Sequence, residues 1–440
     1  MAGAVVEGGR RRRADAGGAA GAGRRPDEQP HRRGTPLMRA LECTPTLPGY
    51  ALARLVGGAR GGPFTMLRLA HRPPPELPGE GWVRLRPRLA GICGSDLAAL
   101  HGHASPYLGA LASSPFVPGH EVVADVSEGG GRWSAGARVV VEPLLHCGVR
   151  GVVPPCPRCA AGEPQGCESV AGDGLAAGLQ SGYCAATGGG WSGEMVAHHS
   201  QLHEVPAALD DRDAVMVEPL ACALHAVLRN PPAHDDRVLV VGAGTLGLLV
   251  VAALRHAARP RRVIAVAKHD GQRRLAARLG ADLVCAPAEM LRTVRFETRA
   301  RLVEGRAVEP FLLGGADLTF ECSGTPAGLQ GAIGCTRAGG TVVMVGMPGR
   351  ATIDLAHAWH RELSVRGAYG YGIEAGGGLA VEPPRRTFAI ALEAAQALRP
   401  GRLVDEPLPL DDYHRALARA SSAGSRGLVK VAFAPGEDGG

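Results

Sequence analysis

The sequence predicts an α/β protein in which a mostly β part precedes a doubly wound parallel sheet. Three observations predict it. From about residue 38 to 208, short strands alternate with Gly/Pro turns, the spacing of a β domain with irregular loops. From Val238 the rhythm changes to strand, glycine turn, apolar helix, strand, helix, which is a βαβ pattern. No internal repeat is evident.

The elements follow in order. Residues 1–36 are rich in Gly, Ala and Arg without periodicity and are expected to form a disordered basic tail. Order is expected from Met38–Leu41, with strands at Trp82–Leu89, Val122–Val126 and Arg138–Val141. The second part should comprise strand Val238–Val241, a helix reaching about His256, strand Val263–Val266 and helix Gly271–Leu279. Strands Leu318–Glu321, Thr341–Val345 and Leu363–Arg366 extend its sheet. Helix Arg386–Leu398, a short strand, helix Asp411–Ala420 and a terminal strand Leu428–Ala432 close the chain.

At 440 residues and 45% apolar content, the chain is long enough for two or three ordinary cores and too apolar for wholesale disorder. Its net charge of +6 resides mostly in the tail, where eight arginines face Glu7, Asp15, Asp27 and Glu28. The body is nearly neutral, which speaks against a groove for nucleic acid. The most apolar run, Val238–Leu254, is broken by Gly242, Gly244 and Gly247, and no membrane span is predicted. Arg10–Arg13 lead into Ala/Gly-rich sequence with no apolar h-region, so no secretory signal is read. With eleven cysteines, this predicts a reducing, cytoplasmic setting in which thiols serve metals.

Gly242-Ala-Gly244-Thr245-Leu246-Gly247 follows four β-formers and opens an apolar helix. In that context Gly242 makes the tight turn, Gly244 lets the backbone approach a pyrophosphate, and Gly247 lets helix pack on strand. The dinucleotide phosphates are then expected on the helix N-terminus. At the end of the next strand, where a carboxylate would bind the ribose 2′-hydroxyl and select NAD, the sequence has Ala267 followed by Lys268. The missing acid and added cation predict NADP(H) over NAD(H); Asp270 is the residue that could still favour NAD.

Cys156, Cys159 and Cys167 stand close together, with Cys147 nine residues before Cys156. Four thiolates in so short a span match a structural zinc site. A dispersed set comprises Cys93 in Gly91-Ile-Cys-Gly-Ser-Asp96, His120-Glu121, and Glu218 before Pro219-Leu220. These types suit a catalytic zinc with three protein ligands and an open position. Balancing the ion's charge predicts Cys93, His120 and one of the two glutamates bound at a time, with Asp96 orienting His120.

Together these residues resemble the zinc-containing medium-chain dehydrogenase/reductase superfamily, from about Met38 to Val431. The marks are Gly91–Asp96, Gly119–Glu121, the four-cysteine lobe 147–167, Glu218-Pro219-Leu220 and Gly242–Gly247. Glu218, where alcohol dehydrogenases have cysteine, is similar to the polyol/threonine/glucose branch. The resemblance implies a GroES-like mostly-β catalytic domain (37–208 and 369–440) with an inserted Rossmann domain (209–368), the active site between them, and a homodimer or homotetramer. It implies that Val345 and Gly346 lie near the nicotinamide. Two departures stand out: the gap after Cys147 is wider than the family's, and Ala98 replaces a proton-relaying histidine, leaving His101 or His103 as candidates.

The expected activity is reversible hydride transfer between an alcohol (a polyol, sugar or related secondary alcohol) and NAD(P). Zinc would lower the alcohol's pKa and Ser95 would take the hydroxyl proton; Cys93, Ser95, His120 and Glu121 are the expected catalytic residues. The substrate pocket is expected to include Leu100–Leu111 and part of Trp191–His199. A non-catalytic NADP(H)-binding redox sensor is the alternative, against which stands the presence together of Cys93, Ser95, His120 and Glu121, none of which dinucleotide binding requires.

Overall fold

The computed structural model describes residues 37–56, 66–306, 308–375 and 381–436. The basic segment 1–36, expected to be disordered, lies outside the described residues.

Strands β1 (Met38–Cys43) and β2 (Leu67–Arg72) form an antiparallel pair. The antiparallel sheet of the first part contains β3 (Trp82–Gly91), β4 (Val122–Glu128), β5 (Arg138–Val141), β6 (Met195–His198) and β7 (Leu202–Glu204). Inward positions such as Val83, Leu85, Val139 and Met195 are fully buried, as expected where one face packs on a core.

The parallel sheet runs β8 (Arg237–Val241), β9 (Arg262–Val266) and β10 (Leu283–Cys285) to one side. A small antiparallel hairpin, β11 (Arg301–Gly305) with β12 (Val308–Leu313), intervenes before β13 (Ala316–Glu321), β14 (Thr336–Met344) and β15 (Ser364–Gly367). The order β10-β9-β8-β13-β14-β15 places a topological switch point between β8 and β13. A ligand crevice lies outside the carboxyl ends of strands at such a point. The sheet is covered on both faces, and accordingly Val238, Leu239 and Val240 are all buried. The helix after β8, Thr245–Ala253, is buried from Gly247 onward.

Residues beyond β15 add a two-residue pair, β16 (Ile373–Glu374) with β17 (Arg385–Arg386), then helices Thr387–Leu398 and Tyr413–Ser421. The last strand, β18 (Ala432–Phe433), returns to pair with β3 of the first sheet. It begins later than the expected Leu428–Ala432: just before it, Lys430 makes an isolated parallel bridge with Val404 while its side chain enters a buried ion pair. Where a short strand was expected before the last helix, a 3-10 turn, Pro400–Leu403, stands instead. The hairpin β11–β12 has no counterpart in the sequence reading. Among the described residues no helix is long and apolar enough to cross a membrane.

Candidate active site and cysteine lobe

Strand register assembles the centre. Ala90 pairs with Val122, and Gly91 with Ala432, so the end of β3 and the starts of β4 and β18 meet at one edge. Cys93, His120-Glu121 and Lys430 extend from those three points. Cys93 caps helix Gly94–Leu100, its backbone N–H held by Asp96 Oδ2 at 2.9 Å. The ligand atoms of Cys93, His120 and Glu121 all lie within 4.8 Å of one another. A side chain at Gly91 would overlap the Glu121 carboxylate, so glycine is required there.

His120 Nδ1 is buried without a hydrogen-bond partner among the described residues, an opening for a metal, while the carboxylates around it are engaged. Asp96 Oδ1 lies 3.5 Å from His120 Nδ1 and accepts the Tyr183 hydroxyl at 2.9 Å. Lys430 Nζ donates to both Glu121 oxygens, at 2.6 and 2.7 Å, and to the Ile92 carbonyl. Glu218, in the first turn of helix Val217–Arg229, is buried, and burial pushes its carboxyl up to about 7 despite the nearby His120 and Lys430. Cys222, one turn along, donates to Glu218 Oε1 at 3.6 Å. Ser95 is half-buried in the first turn after Cys93. His101 Nε2 sits 3.5 Å from Ser421 Oγ.

A thiolate, an imidazole and a carboxylate converging in a largely buried setting form a donor set that suits zinc. The same holds for the lobe, where Cys147, Cys156, Cys159 and Cys167 lie within 4.8 Å of one another. The wide gap after Cys147 is taken up by a helical turn, Cys147–Arg150, that ends on Gly151 at φ 67°, so Cys147 joins the other three. Buried Arg150 ties the lobe together by donating to the carbonyls of Leu145 and Gly178 at 2.7 Å each.

Gly242 adopts φ 94°, and a side chain at Gly247 would overlap the Gly242 carbonyl, whereas Gly244 faces open space. This is the division of labour a pyrophosphate turn requires. Thr245 Oγ1 donates to the Val429 carbonyl at 3.2 Å, and Leu246 is half-buried. Ala267 is buried at the end of β9 and Lys268 is exposed beside it. The Asp270 carboxylate is paired with Arg273. Val345 and Gly346, just past β14, donate backbone N–H bonds to the Glu321 carbonyl next to the switch point.

Of the stretch Trp191–His199, part of which was expected at the pocket, Trp191 is fully buried and donates to the Gly91 carbonyl at 3.1 Å, Ser192 and Met195–Ala197 are equally buried, and Gly193, Glu194, His198 and His199 are half-buried. Lys430, Cys222 and Tyr183 escaped the sequence reading. Lys430 left a signal, being one of two lysines in the chain, and Cys222 stands one helical turn from Glu218.

Two families match the chain: the alcohol dehydrogenase GroES-like domain over residues 79–207 and the zinc-binding dehydrogenase domain over residues 245–380. The L-threonine 3-dehydrogenase of Streptomyces coelicolor is 31% identical over 311 residues, covering 69% of this chain and 81% of that one. The 2-dehydro-3-deoxy-L-galactonate 5-dehydrogenase of Pseudoalteromonas atlantica is 29% identical over 80% of this chain and 92% of its own. The starvation-sensing protein RspB of Escherichia coli is 35% identical, but over only 47% of this chain and 55% of that one. Among solved structures, a zinc-binding dehydrogenase of Sinorhizobium meliloti bound to NADP superposes with TM-score 0.64 at 25% identity, over 91% of this chain and 99% of that one. An Escherichia coli RspB complexed with NADH superposes with TM-score 0.67 at 21% identity, over 91% of this chain and all of that one, which speaks for the fold alone.

Proposed function

The chain belongs to the zinc-containing medium-chain dehydrogenase/reductase superfamily, as an oxidoreductase of CH–OH donors, and from that premise we propose that it interconverts a secondary alcohol of a polyol, sugar or sugar-acid type with its ketone, using NADP(H) in preference to NAD(H). The observation that carries this is the convergence of Cys93, His120 and Glu121 within 4.8 Å at the edge where β3, β4 and β18 meet. In this reading Cys93, His120 and a carboxylate hold the catalytic metal, Glu121 being gathered with them and Glu218 standing by. The four lobe cysteines hold a second, structural zinc. Bound there, the metal supplies Lewis acidity toward a substrate hydroxyl, and the dinucleotide supplies a hydride acceptor.

The chain's own groups do the rest. Ser95 takes the hydroxyl proton as it hands its own outward, acting as a relay. Asp96 holds the Cys93 backbone and faces His120, fixing ligand orientation. Gly242, Gly244, Thr245, Leu246 and Gly247 seat the pyrophosphate, while Val345 and Gly346 border the nicotinamide. Preference for NADP(H) is supported by Ala267 at the strand end, exposed Lys268 beside it, and Asp270 engaged with Arg273. We assign residues 37–208 and 369–440 to the catalytic part and 209–368 to the Rossmann part, a division supported by the return of β18 to β3. The free edge of β15, with Val365 and nearby Trp359 exposed, supports pairing into a homodimer or homotetramer. A cytoplasmic setting suits these thiols.

The test is a screen of zinc-replete protein against polyols, sugar acids and simple secondary alcohols with NADP⁺ and NAD⁺. Polyol or sugar-acid oxidation with higher kcat/KM for NADP⁺ is expected; a clear NAD⁺ preference ends the cofactor reading.

A further inference from the structure

Glu218 is buried in the first turn of helix Val217–Arg229, and a buried carboxylate needs a donor or an ion to hold it. Its neighbour Glu121 has Lys430 on both oxygens. Glu218 has no such cation: among the described residues, the hydrogen bond it accepts comes from the Cys222 thiol, 3.6 Å from Oε1. The four-residue spacing puts both side chains on one helix face, so the contact is local and survives small movements of the surrounding loops. Cys222 itself is only partly buried.

We propose that Cys222 is a positioning residue: its S–H holds Glu218 by Oε1, keeping this carboxylate ready to take a metal gathered by Cys93 and His120 in place of Glu121, whose two oxygens both sit on Lys430. This rests on the zinc-centred reading above. Cys222 does not touch substrate or reacting atoms; it acts through Glu218. Groups that orient a ligand in this way typically govern metal affinity by ~10–100-fold, and serine, a stronger donor of similar shape, should replace the thiol.

The test is competition between the purified full chain and a zinc chelator, comparing wild type with Cys222→Ala, Cys222→Val and Cys222→Ser. The zinc that disappears in Cys93→Ser identifies the catalytic site, and lobe zinc serves as the folding control. The expected result is weaker retention of catalytic zinc by about tenfold in the Ala and Val variants, unchanged lobe zinc, and recovery in Cys222→Ser. Retention within about twofold of wild type in Ala and Val, or a serine variant no better than valine, overturns the proposal. If Cys93→Ser loses no zinc at all, the zinc-centred reading itself fails and takes this one with it.

Discussion

Lys430 Nζ lies 2.6 and 2.7 Å from the two carboxylate oxygens of Glu121, with both side chains almost fully buried. The pair changes the charge balance of the site. Counting Cys93, Glu121 and Glu218 as anions against a divalent metal leaves one negative charge too many. Lys430, which the sequence-based balance omitted, neutralises it.

Replacing Lys430 with methionine leaves Glu121 buried and unpaired. Breaking a buried pair from one side costs ~3–5 kcal/mol. We predict a lower midpoint of denaturant unfolding by that margin, and partial recovery in the double variant with Glu121→Gln, measured by urea titration. Equal stability of wild type and Lys430→Met would show that the pair is not held as described.

Gly247→Ala places a methyl group against the Gly242 carbonyl. The helix must shift away from the strand, and the N–H groups that face the pyrophosphate shift with it. Dinucleotide affinity should fall by at least ~10-fold, with zinc content unchanged, as read by titration of bound NADPH fluorescence. Near-normal affinity would remove the pyrophosphate turn from its assigned role.

Acid stability should depend on Glu142. Burial pushes its carboxyl up, but the hydrogen bond from His203 at 2.9 Å and the charge of Arg386 outweigh burial and hold it below the usual carboxylate range. A carboxyl with a depressed folded pKa stabilises the fold above its unfolded value of 4.5 and loses that contribution as pH falls through the folded value. Glu142→Gln should therefore be less stable near neutrality and show a shallower decline below that point in a pH series of thermal unfolding. An unchanged acid limb contradicts this.

Cys159→Ser removes one of four converging thiols. The lobe has a small apolar core of its own, so we expect loss of one zinc per chain and early proteolysis confined to residues near 147–167, seen by limited digestion. A lobe that resists protease without its metal would mean the ion is dispensable there.

Much of the fold was legible because its signals are local. The four β-formers before Gly242 and the glycine spacing specify a strand–turn–helix without reference to anything distant. The same is true of Cys156, Cys159 and Cys167. What could not be read depends on register. Lys430 reaches Glu121 only because β18 pairs with β3, more than 300 residues away in sequence, and nothing near Lys430 announces that pairing. Trp191 is core in space because its indole nitrogen finds the Gly91 carbonyl, 100 residues away in sequence. The hairpin β11–β12 lies between two strands of the parallel sheet and breaks the alternation on which the βαβ reading relied.

The most direct measurement is paired: zinc per chain and alcohol-dependent reduction of NADP⁺, in wild type and in Cys93→Ser. Two zinc ions with turnover in the first, and one zinc with intact dinucleotide binding but no turnover in the second, is the predicted outcome. A Cys93→Ser variant that turns over substrate at a near wild-type rate would contradict it.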